Sequence, residues 1–363
     1  MRWITSLALV LLATTVVAEE SWNREAAAEY LDARAGMWVT RSRARQKLTT
    51  ACISCHTAMP YLLSRASLGG SPSSLPQPAQ DLFRDVEARV MHWGDVKVWY
   101  DTSRGEEKPV QSWGTESVIN AFVLTMRDQR SGGPLTEEAK TALRHMWARQ
   151  TDEGNWPWLH FGLGPWEADG SDYWGASLAA VAGMSAGREA RPSGEASAKL
   201  RSYLRLGLSG LGLSRDLNLH NRVALLWAAS AWDGLLSTTE KRRLVDDVLR
   251  HQQSDGGFRL VDLGTWPSED ETPPNEASDG YATAFTTFVL QRLDDPRAAE
   301  AIADGVAWLE HNQKADGRWE TLSPNKDRSN EEAFTRLLAS DAATGFAVLA
   351  LTWTTDETRP TDP

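Results

Sequence analysis

Three copies of one seven-residue pattern, Gln-x-x-acid-Gly-x-aromatic, decide the fold of this chain. They are Gln150-Thr-Asp-Glu-Gly-Asn-Trp156, Gln252-Gln-Ser-Asp-Gly-Gly-Phe258 and Gln313-Lys-Ala-Asp-Gly-Arg-Trp319. A glycine in the left-handed conformation ends a helix, the acidic residue and the glutamine can bond free backbone groups, and the aromatic ring packs back on the turn. Each copy therefore predicts the end of one helix and a turn toward the next.

Amphipathic segments precede the copies, and apolar segments follow them. Before the first copy, apolar residues recur from Leu135 to Trp147 with the three- and four-residue spacing of a half-buried helix. After each copy comes a Ser-Asp pair, which begins at Ser171, Ser278 or Ser340, and then a run of small residues that is apolar on nearly every side. The sequence thus predicts half-exposed outer helices that alternate with buried inner ones.

The remaining units are less regular. Periodicity places them at 198–207 with 219–232, 25–45 with 58–68 and 81–99 with 117–128. Together with the three clear copies, they give six hairpins, each an outer helix followed by an inner one. We therefore expect an all-α fold, an alpha/alpha toroid, formed by a single domain over residues 19–363.

The repeat copies with their Ser-Asp followers resemble the repeat of the squalene and terpenoid cyclases and the protein prenyltransferases. The resemblance covers about residues 135 to 355 and implies the alpha/alpha toroid. It does not extend to the chemistry of those enzymes. The Asp-x-Asp-Asp acid cluster of a hopene-type cyclase is missing from the sequence, and both cysteines lie in one short motif instead of among separate zinc ligands. Fold alone leaves the function open.

The two cysteines of the chain lie in the segment Cys52-Ile-Ser-Cys55-His56, which has the form of the c-type haem attachment motif. Two thiols at this spacing can add across the vinyl groups of one haem, and the adjacent imidazole can bind the iron. The motif predicts one covalent haem c per chain, attached through Cys52 and Cys55, with His56 as the metal ligand. A disulfide between the two cysteines, or half of a zinc site, remains an alternative.

The sixth iron ligand is open at this point. Met37, Met91 and His92 on the neighbouring predicted helices are candidates, whereas Met59 is too close in sequence to reach the opposite face of a haem. A methionine ligand would suit electron transfer, and an empty position would suit chemistry on peroxide or another small molecule.

The haem motif falls between an outer helix and the inner helix that follows it, where later hairpins have the repeat pattern. We therefore expect His56 at the barrel end where the inner helices begin, which we call the mouth. A group of aromatic residues is predicted at the same end, to stack on an apolar or aromatic ligand or to fill gaps between tilted helices. The group comprises Trp156, Trp158, Phe161, Trp166, Trp174 and Trp266.

Four acidic residues near the starts of inner helices are candidate catalytic groups. They are Glu116, Asp172, Asp279 and Asp341. Two of them facing each other across a cleft could serve as the acids of a carbohydrate-active or cyclase-like enzyme. As helix caps, they would instead bind backbone amides and stay ionised. The sequence leaves both interpretations open, and with them the question whether the protein is an enzyme.

The N-terminus has the form of a secretory signal peptide, with Arg2, an apolar stretch from Leu7 to Val17, and Ala18 at the cleavage site. We expect residues 1–18 to be removed, a periplasmic or extracellular location, and no integral membrane segment afterwards. The formal net charge of -11 has the wrong sign for binding nucleic acid or anionic lipid, so nucleic acid is not an expected partner.

These features together favour an exported haem c protein that performs electron transfer or a redox step on a ligand at the mouth. Its expected partners are a redox protein and an apolar or aromatic small molecule. Two other classes of function stay open. One is a non-haem enzyme that uses the four carboxylates, and the other is a toroid that only binds a partner protein or a lipid.

Overall fold

The computed structural model describes residues 22–46, 48–69, 75–187, 190–206, 208, 217–268, 273–325 and 334–354. The predicted signal peptide, residues 1–18, lies outside these ranges. Within them the regular structure is helical and contains no β-strand. This confirms the predicted all-α class.

The helices alternate between an outer and an inner layer. The outer helices are α1 (Arg24–Gln46), α3 (Gln77–Met91), α5 (Glu137–Ala148), α7 (Gly194–Leu206), α9 (Thr238–Leu249) and α12 (Ala299–His311). The inner helices are α2 (Ala58–Ser64), α4 (Lys108–Ser131), α6 (Ser171–Ser185), α8 (Leu219–Ala231), α11 (Gly280–Gln291) and α13 (Leu338–Leu351). A short helix, α10 (Leu260–Leu263), lies in the connection between α9 and α11.

The inner helices form a closed ring. They contact one another in the order α2, α4, α6, α8, α11, α13, and α13 contacts α2 again. At the seam of the ring, α1 also packs against α13, so the first and last hairpins of the chain are neighbours. The structure therefore confirms the alpha/alpha toroid of six hairpins.

Burial separates the two layers as the apolar patterns predict. In the inner helix α11, every residue from Gly280 to Leu290 is buried. In the outer helix α9, only Leu244, Val245 and Val248 are. The outer helices thus present one apolar stripe to the ring, whereas the inner helices are covered on all sides.

The repeat motifs join successive outer helices. In each motif the glutamine Nε2 donates one hydrogen bond to the glycine carbonyl of its own turn and a second to a carbonyl at the start of the next outer helix. The second acceptors are Ala196 for Gln150 (3.1 Å), Ala301 for Gln252 (2.9 Å) and Asn23 for Gln313 (2.9 Å). Because Asn23 precedes α1, the third motif closes the ring.

The motif glycines make this close contact possible. Gly317 has a φ of 88°, and a Cβ atom there would overlap the backbone carbonyl of Ala26 at the start of α1. The motif tryptophans bind in the other direction, to the outer helix that has just ended: the indole of Trp319 donates to the carbonyl of Leu309 (2.7 Å). One turn therefore holds both the helix before it and the next outer helix.

Two predicted helix boundaries differ most from the observed ones. The sequence places a helix over 81–99, but α3 already ends at Met91 and is followed by turns. The next inner helix, predicted from 117, begins at Lys108 with a proline in its first turn, a favoured place for proline. It ends at Ser131, and Gly132, which follows it, has the left-handed φ of 68° that terminates the helix.

One stretch of the described residues, Phe334–Leu351, is long and apolar enough to cross a membrane by length and composition. The sequence predicts no membrane-spanning segment after the signal peptide. In the structure this stretch contains the inner helix α13, and 72% of it is buried inside the ring. Its apolar character follows from its position in the core.

The ring seam gives a stability prediction. We expect Gly317→Ala to lower the free energy of unfolding by roughly 3 kcal/mol or more, because the new Cβ meets backbone that cannot move without opening the seam. The matched control is Gly234→Ala, which has a φ of 71° but open space around the site. It should cost only about 1–2 kcal/mol for the left-handed conformation. Equal losses in urea unfolding would contradict the seam contact.

Candidate functional site

The Cys-x-x-Cys-His segment forms the first turn before α2. The Ser54 hydroxyl accepts hydrogen bonds from the amides of Thr57 (3.2 Å) and Ala58 (3.1 Å), as a helix cap does. The indole of Trp38, on α1, donates to the carbonyl of Cys52 (2.6 Å). The motif is thus fixed to the outer helix before it and to the inner helix after it, as its position between the two predicts.

Both cysteines are free thiols, and both are buried, with 4% of Cys52 and 1% of Cys55 exposed. Burial raises the pKa of each thiol, and the carboxylate of Glu167 raises it further. Neutral thiols of this kind are poor nucleophiles at neutral pH, so the folded site does not have the properties of an activated dithiol.

His56 is buried beside the cysteines. Its ring lies edge-on to Trp38, with 5.2 Å between the centroids, and 6.2 Å from the ring of Trp166. Nδ1 lies 3.0 Å from the Thr57 hydroxyl oxygen. Burial, assisted by the positive charge of Arg34, lowers the pKa of His56 to about 3, so the imidazole is neutral at physiological pH.

A buried polar network continues from Thr57 to the last inner helix. The Thr57 hydroxyl donates to Asp341 Oδ2 (2.7 Å). Asp341 also accepts from Arg34 Nε (2.6 Å) and Nη2 (2.8 Å) and from the Tyr30 hydroxyl (2.8 Å). The network joins α1, the motif and α13, so it exists only when the ring is closed.

A connection that we call the mouth loop, residues 159–169, covers this end of the barrel. The amide of Gly164 donates to Asn325 Oδ1 (3.1 Å), and the Trp266 side chain lies directly against Gly164. Trp166 is fully buried, and its indole donates to the Tyr281 hydroxyl (3.0 Å). The loop therefore places Trp166 between His56 and the interior of the barrel.

The interior next to Trp166 is aromatic and contains one histidine. His220 Nε2 lies 2.9 Å from the Tyr281 hydroxyl, and burial lowers the pKa of His220 to about 3. Ring contacts extend from these two residues to Trp174, Trp227, Phe285 and Phe346. The sequence around His220 gives no sign of this contact, because the partner lies sixty-one residues away.

The four candidate acids are all engaged in hydrogen bonds or ion pairs. Asp279 is a helix cap, as one interpretation predicts, and accepts from the amides of Tyr281 and Ala282. Glu116 and Asp341 lie within their helices and are paired with Arg89 (2.8 Å) and Arg34. Asp172 accepts from Asn155 (3.0 Å) and the Tyr203 hydroxyl (2.6 Å).

The pKa values of three of these acids are raised by burial, and their partners oppose that effect to different degrees. Burial raises the pKa of Glu116 and of Asp341, while their arginine partners act in the opposite direction. Burial raises the pKa of Asp279 to about 6, against hydrogen bonds from three backbone amides and the Thr321 hydroxyl. Three of the acids are thus built into structural networks, and Asp279 has the chemistry of a weak buried acid.

The three candidates for a sixth iron ligand are exposed on the outer layer. Met37 and Met91 are 47% and 52% exposed, and His92, at the end of α3, is exposed as well. They lie on the outer layer and face solvent, whereas His56 is buried at the mouth. Sequence proximity to the motif indicates the right helices, but the faces of those helices are set by packing against the ring.

The placement of the motif at the mouth is confirmed. His56 contacts Trp166, which contacts Tyr281 two residues after Asp279, and Thr57 contacts Asp341. The starts of α2, α11 and α13 therefore meet at the same end of the barrel. Across the described ranges, no three His, Cys, Asp or Glu side chains group as a metal-ion site.

Comparisons with known proteins find partial similarities. No protein-family model matches the chain. A segment of 63 residues is 36% identical to an ent-copalyl diphosphate synthase of Streptomyces sp. (strain KO-3988), and it covers 16% of this chain but only 12% of that protein.

Two solved structures match most of the chain loosely. One, titled as a glycosidase, is 11% identical with a TM-score of 0.48, over 92% of this chain and 97% of its own. The other, a possible member of the GH105 family from Salmonella enterica, is 12% identical with a TM-score of 0.38, over 91% and 82%. At this level the likeness adds nothing to the inter-helix contacts, which themselves define the toroid.

The buried His220 gives a pH prediction. Its pKa rises from about 3 in the folded protein to the ordinary value of 6.5 on unfolding, so the unfolded state binds the extra proton, and stability is lost as the pH falls below 6.5. Between about pH 7.5 and about pH 5, the wild type should lose about 2 kcal/mol more than His220→Gln in urea unfolding. The exposed His311→Gln serves as the control and should follow the wild type. Parallel losses in the wild type and His220→Gln would refute the prediction.

Proposed function

We propose that the protein is an exported c-type haem protein, in which Cys52 and Cys55 would hold the haem covalently and His56 would be an iron ligand. The observation that carries the proposal is the donor set: two free buried thiols three residues apart in sequence, followed directly by a neutral imidazole, lie in the segment that leads into α2 at the mouth of the toroid. Thioether attachment and iron ligation need these groups at this spacing.

The state of His56 suits an iron ligand. A metal-binding imidazole must be neutral, and the lowered pKa meets that requirement. Its Nδ1 is hydrogen-bonded to Thr57, which leaves Nε2 as the nitrogen for iron, and the Thr57–Asp341 pair supplies the outer support that ligating histidines need. When bound, the haem would supply one-electron redox chemistry.

The surroundings of His56 bear on access to the site. Trp38 and Trp166 fill the space around its ring, so haem binding requires the mouth loop to move outward. Met37, Met91 and His92 do not supply a sixth ligand from their exposed positions. The open position would then be available to a small molecule, and the expected partners remain a redox protein and an apolar or aromatic ligand that enters at the mouth loop.

A carboxylate-based enzyme is the second candidate, and one observation favours it. Asp279 has a pKa raised to about 6, a value that suits a proton donor. It is 3% exposed and accepts hydrogen bonds from four donors, so a substrate would have to displace those donors to reach it. This function predicts release of reducing ends from an oligosaccharide by the haem-free wild type and loss of that activity in Asp279→Asn.

The main proposal is tested by producing the full chain, with its N-terminal segment, in a host that has a haem c maturation system. We expect haem that stays with the polypeptide under denaturing conditions and a reduced spectrum typical of thioether-linked haem, at one haem per chain. The double variant Cys52→Ala/Cys55→Ala should lose covalent haem completely. Met59→Leu, a buried change on the adjoining turn, is the control and should keep it.

The contrary outcome is equally definite. A wild-type protein that is exported and folded, carries no covalent haem and has Cys52 and Cys55 joined in a disulfide by mass spectrometry would refute the proposal. Retention of haem in the double-cysteine variant would refute the assigned attachment. His56→Ala should keep attached haem but lose the spectrum of an imidazole-ligated iron, since only the imidazole is removed.

A further inference from the structure

We infer that Thr57 and Asp341 are positioning residues that fix His56 as the tautomer protonated at Nδ1, with the lone pair on Nε2. The inference rests on the proposed haem site for its use, but it concerns this chain's own hydrogen bonds and can be tested without haem. It assigns a role to Asp341 that differs from the catalytic role considered for it in the sequence analysis.

The Thr57 hydroxyl contacts both Asp341 and His56 but can donate a hydrogen bond to only one of them. A hydroxyl has one hydrogen to donate and can accept at its oxygen. In the structure Thr57 Oγ1 donates that hydrogen to Asp341 Oδ2 at 2.7 Å. Its contact with His56 Nδ1, at 3.0 Å, must therefore be one in which the hydroxyl oxygen accepts. The proton of the neutral imidazole consequently lies on Nδ1.

Asp341 accepts all the hydrogen bonds that its carboxylate makes in this network. Two N–H groups of Arg34 and the hydroxyl of Tyr30 point at its carboxylate oxygens, in addition to Thr57. The Arg34 and Asp341 side chains are only 5% and 1% exposed. A carboxyl group surrounded by four donated hydrogens can only accept, so it cannot reverse the bond to Thr57. The buried Arg34 therefore determines which group donates and which accepts in each hydrogen bond from Asp341 to His56.

These hydrogen bonds join helices from the two ends of the sequence. The series of hydrogen bonds runs from Arg34 on α1, through Asp341 on α13, to Thr57 and His56 at the start of α2. It crosses the seam of the ring, where residues 284 positions apart in sequence are in contact. The tautomer of His56 is thus set by tertiary structure and not by its immediate sequence neighbours alone, and it persists for as long as the seam is closed.

The experiment measures the tautomer directly. Haem-free full-length protein, labelled with ¹⁵N at histidine, is examined by long-range proton–nitrogen NMR correlation, in which protonated and unprotonated ring nitrogens have separate shifts. For His56 we expect a protonated Nδ1 and an unprotonated Nε2. A wild-type His56 that is protonated at Nε2 overturns the inference, whatever the outcome of the haem experiment.

Matched variants at Thr57 separate a positioning role from a structural one. Thr57→Val keeps the shape and removes the hydroxyl, so the ratio of the Nδ1–H to the Nε2–H tautomer should fall by about fivefold or more, the effect of one lost hydrogen bond. Thr57→Ser restores the hydroxyl and should restore the wild-type ratio. Both must show wild-type near-ultraviolet circular dichroism. An unchanged ratio in Thr57→Val overturns the inference.

The haem-loaded protein provides an independent readout. An Nδ1–H group that donates toward a carboxylate makes the imidazole a stronger ligand and favours the ferric state. Thr57→Val should therefore shift the midpoint reduction potential in the positive direction, and Thr57→Ser should return it. If the chain takes up no haem, the proposed function fails while the NMR result still decides the tautomer. If haem binds and the potential does not respond, the positioning role fails alone.

Discussion

The structure depends on one hydrogen-bonded contact, that of a motif glutamine with the backbone of the next outer helix. Gln150, Gln252 and Gln313 each use two donated bonds from one amide to fix a turn and to hold a neighbouring helix. The glycine beside each of them allows the backbones to approach without an intervening side chain. The alternation of outer and inner layers follows, because each turn is tied sideways around the ring.

The contact made by Gln313 has a further effect, since its acceptor belongs to the first helix of the chain. It brings α13 against α1 and α2, and so brings Asp341 within reach of Thr57 and Arg34. The polar network under His56 is therefore a product of the same closure that gives the toroid its shape. Fold and candidate site have one origin at the seam.

Local patterns in the sequence are sufficient for the toroid, the two layers and the location of His56 at the mouth, because each depends on periodicity or on the order of helices. They are insufficient for the partners of Asp341 and Glu116, which the sequence predicts to be caps or catalytic acids. Arg34 and Arg89 reach them from outer helices, the first across the ring seam and the second within one hairpin, and the packing of those helices sets both contacts. The exposure of Met37 and Met91 could not be predicted from the sequence for a related reason. The mean apolar character of a helix does not specify which of its faces packs against the ring.

The burial of Cys52 and Cys55 also constrains the order of events as the protein is made. Glu167 of the mouth loop is close enough to raise the pKa of Cys55, and α13, near the end of the chain, packs against the helix α2 that follows the motif. Any reagent or enzyme that modifies these sulfur atoms has unhindered access only until that last hairpin docks. Because contacts over such long sequence separations form late, the folding chain passes through an interval in which its N-terminal hairpin is formed and its C-terminal hairpin has not yet packed against it. The length of that interval, and not the finished structure, would limit the covalent chemistry of the thiols.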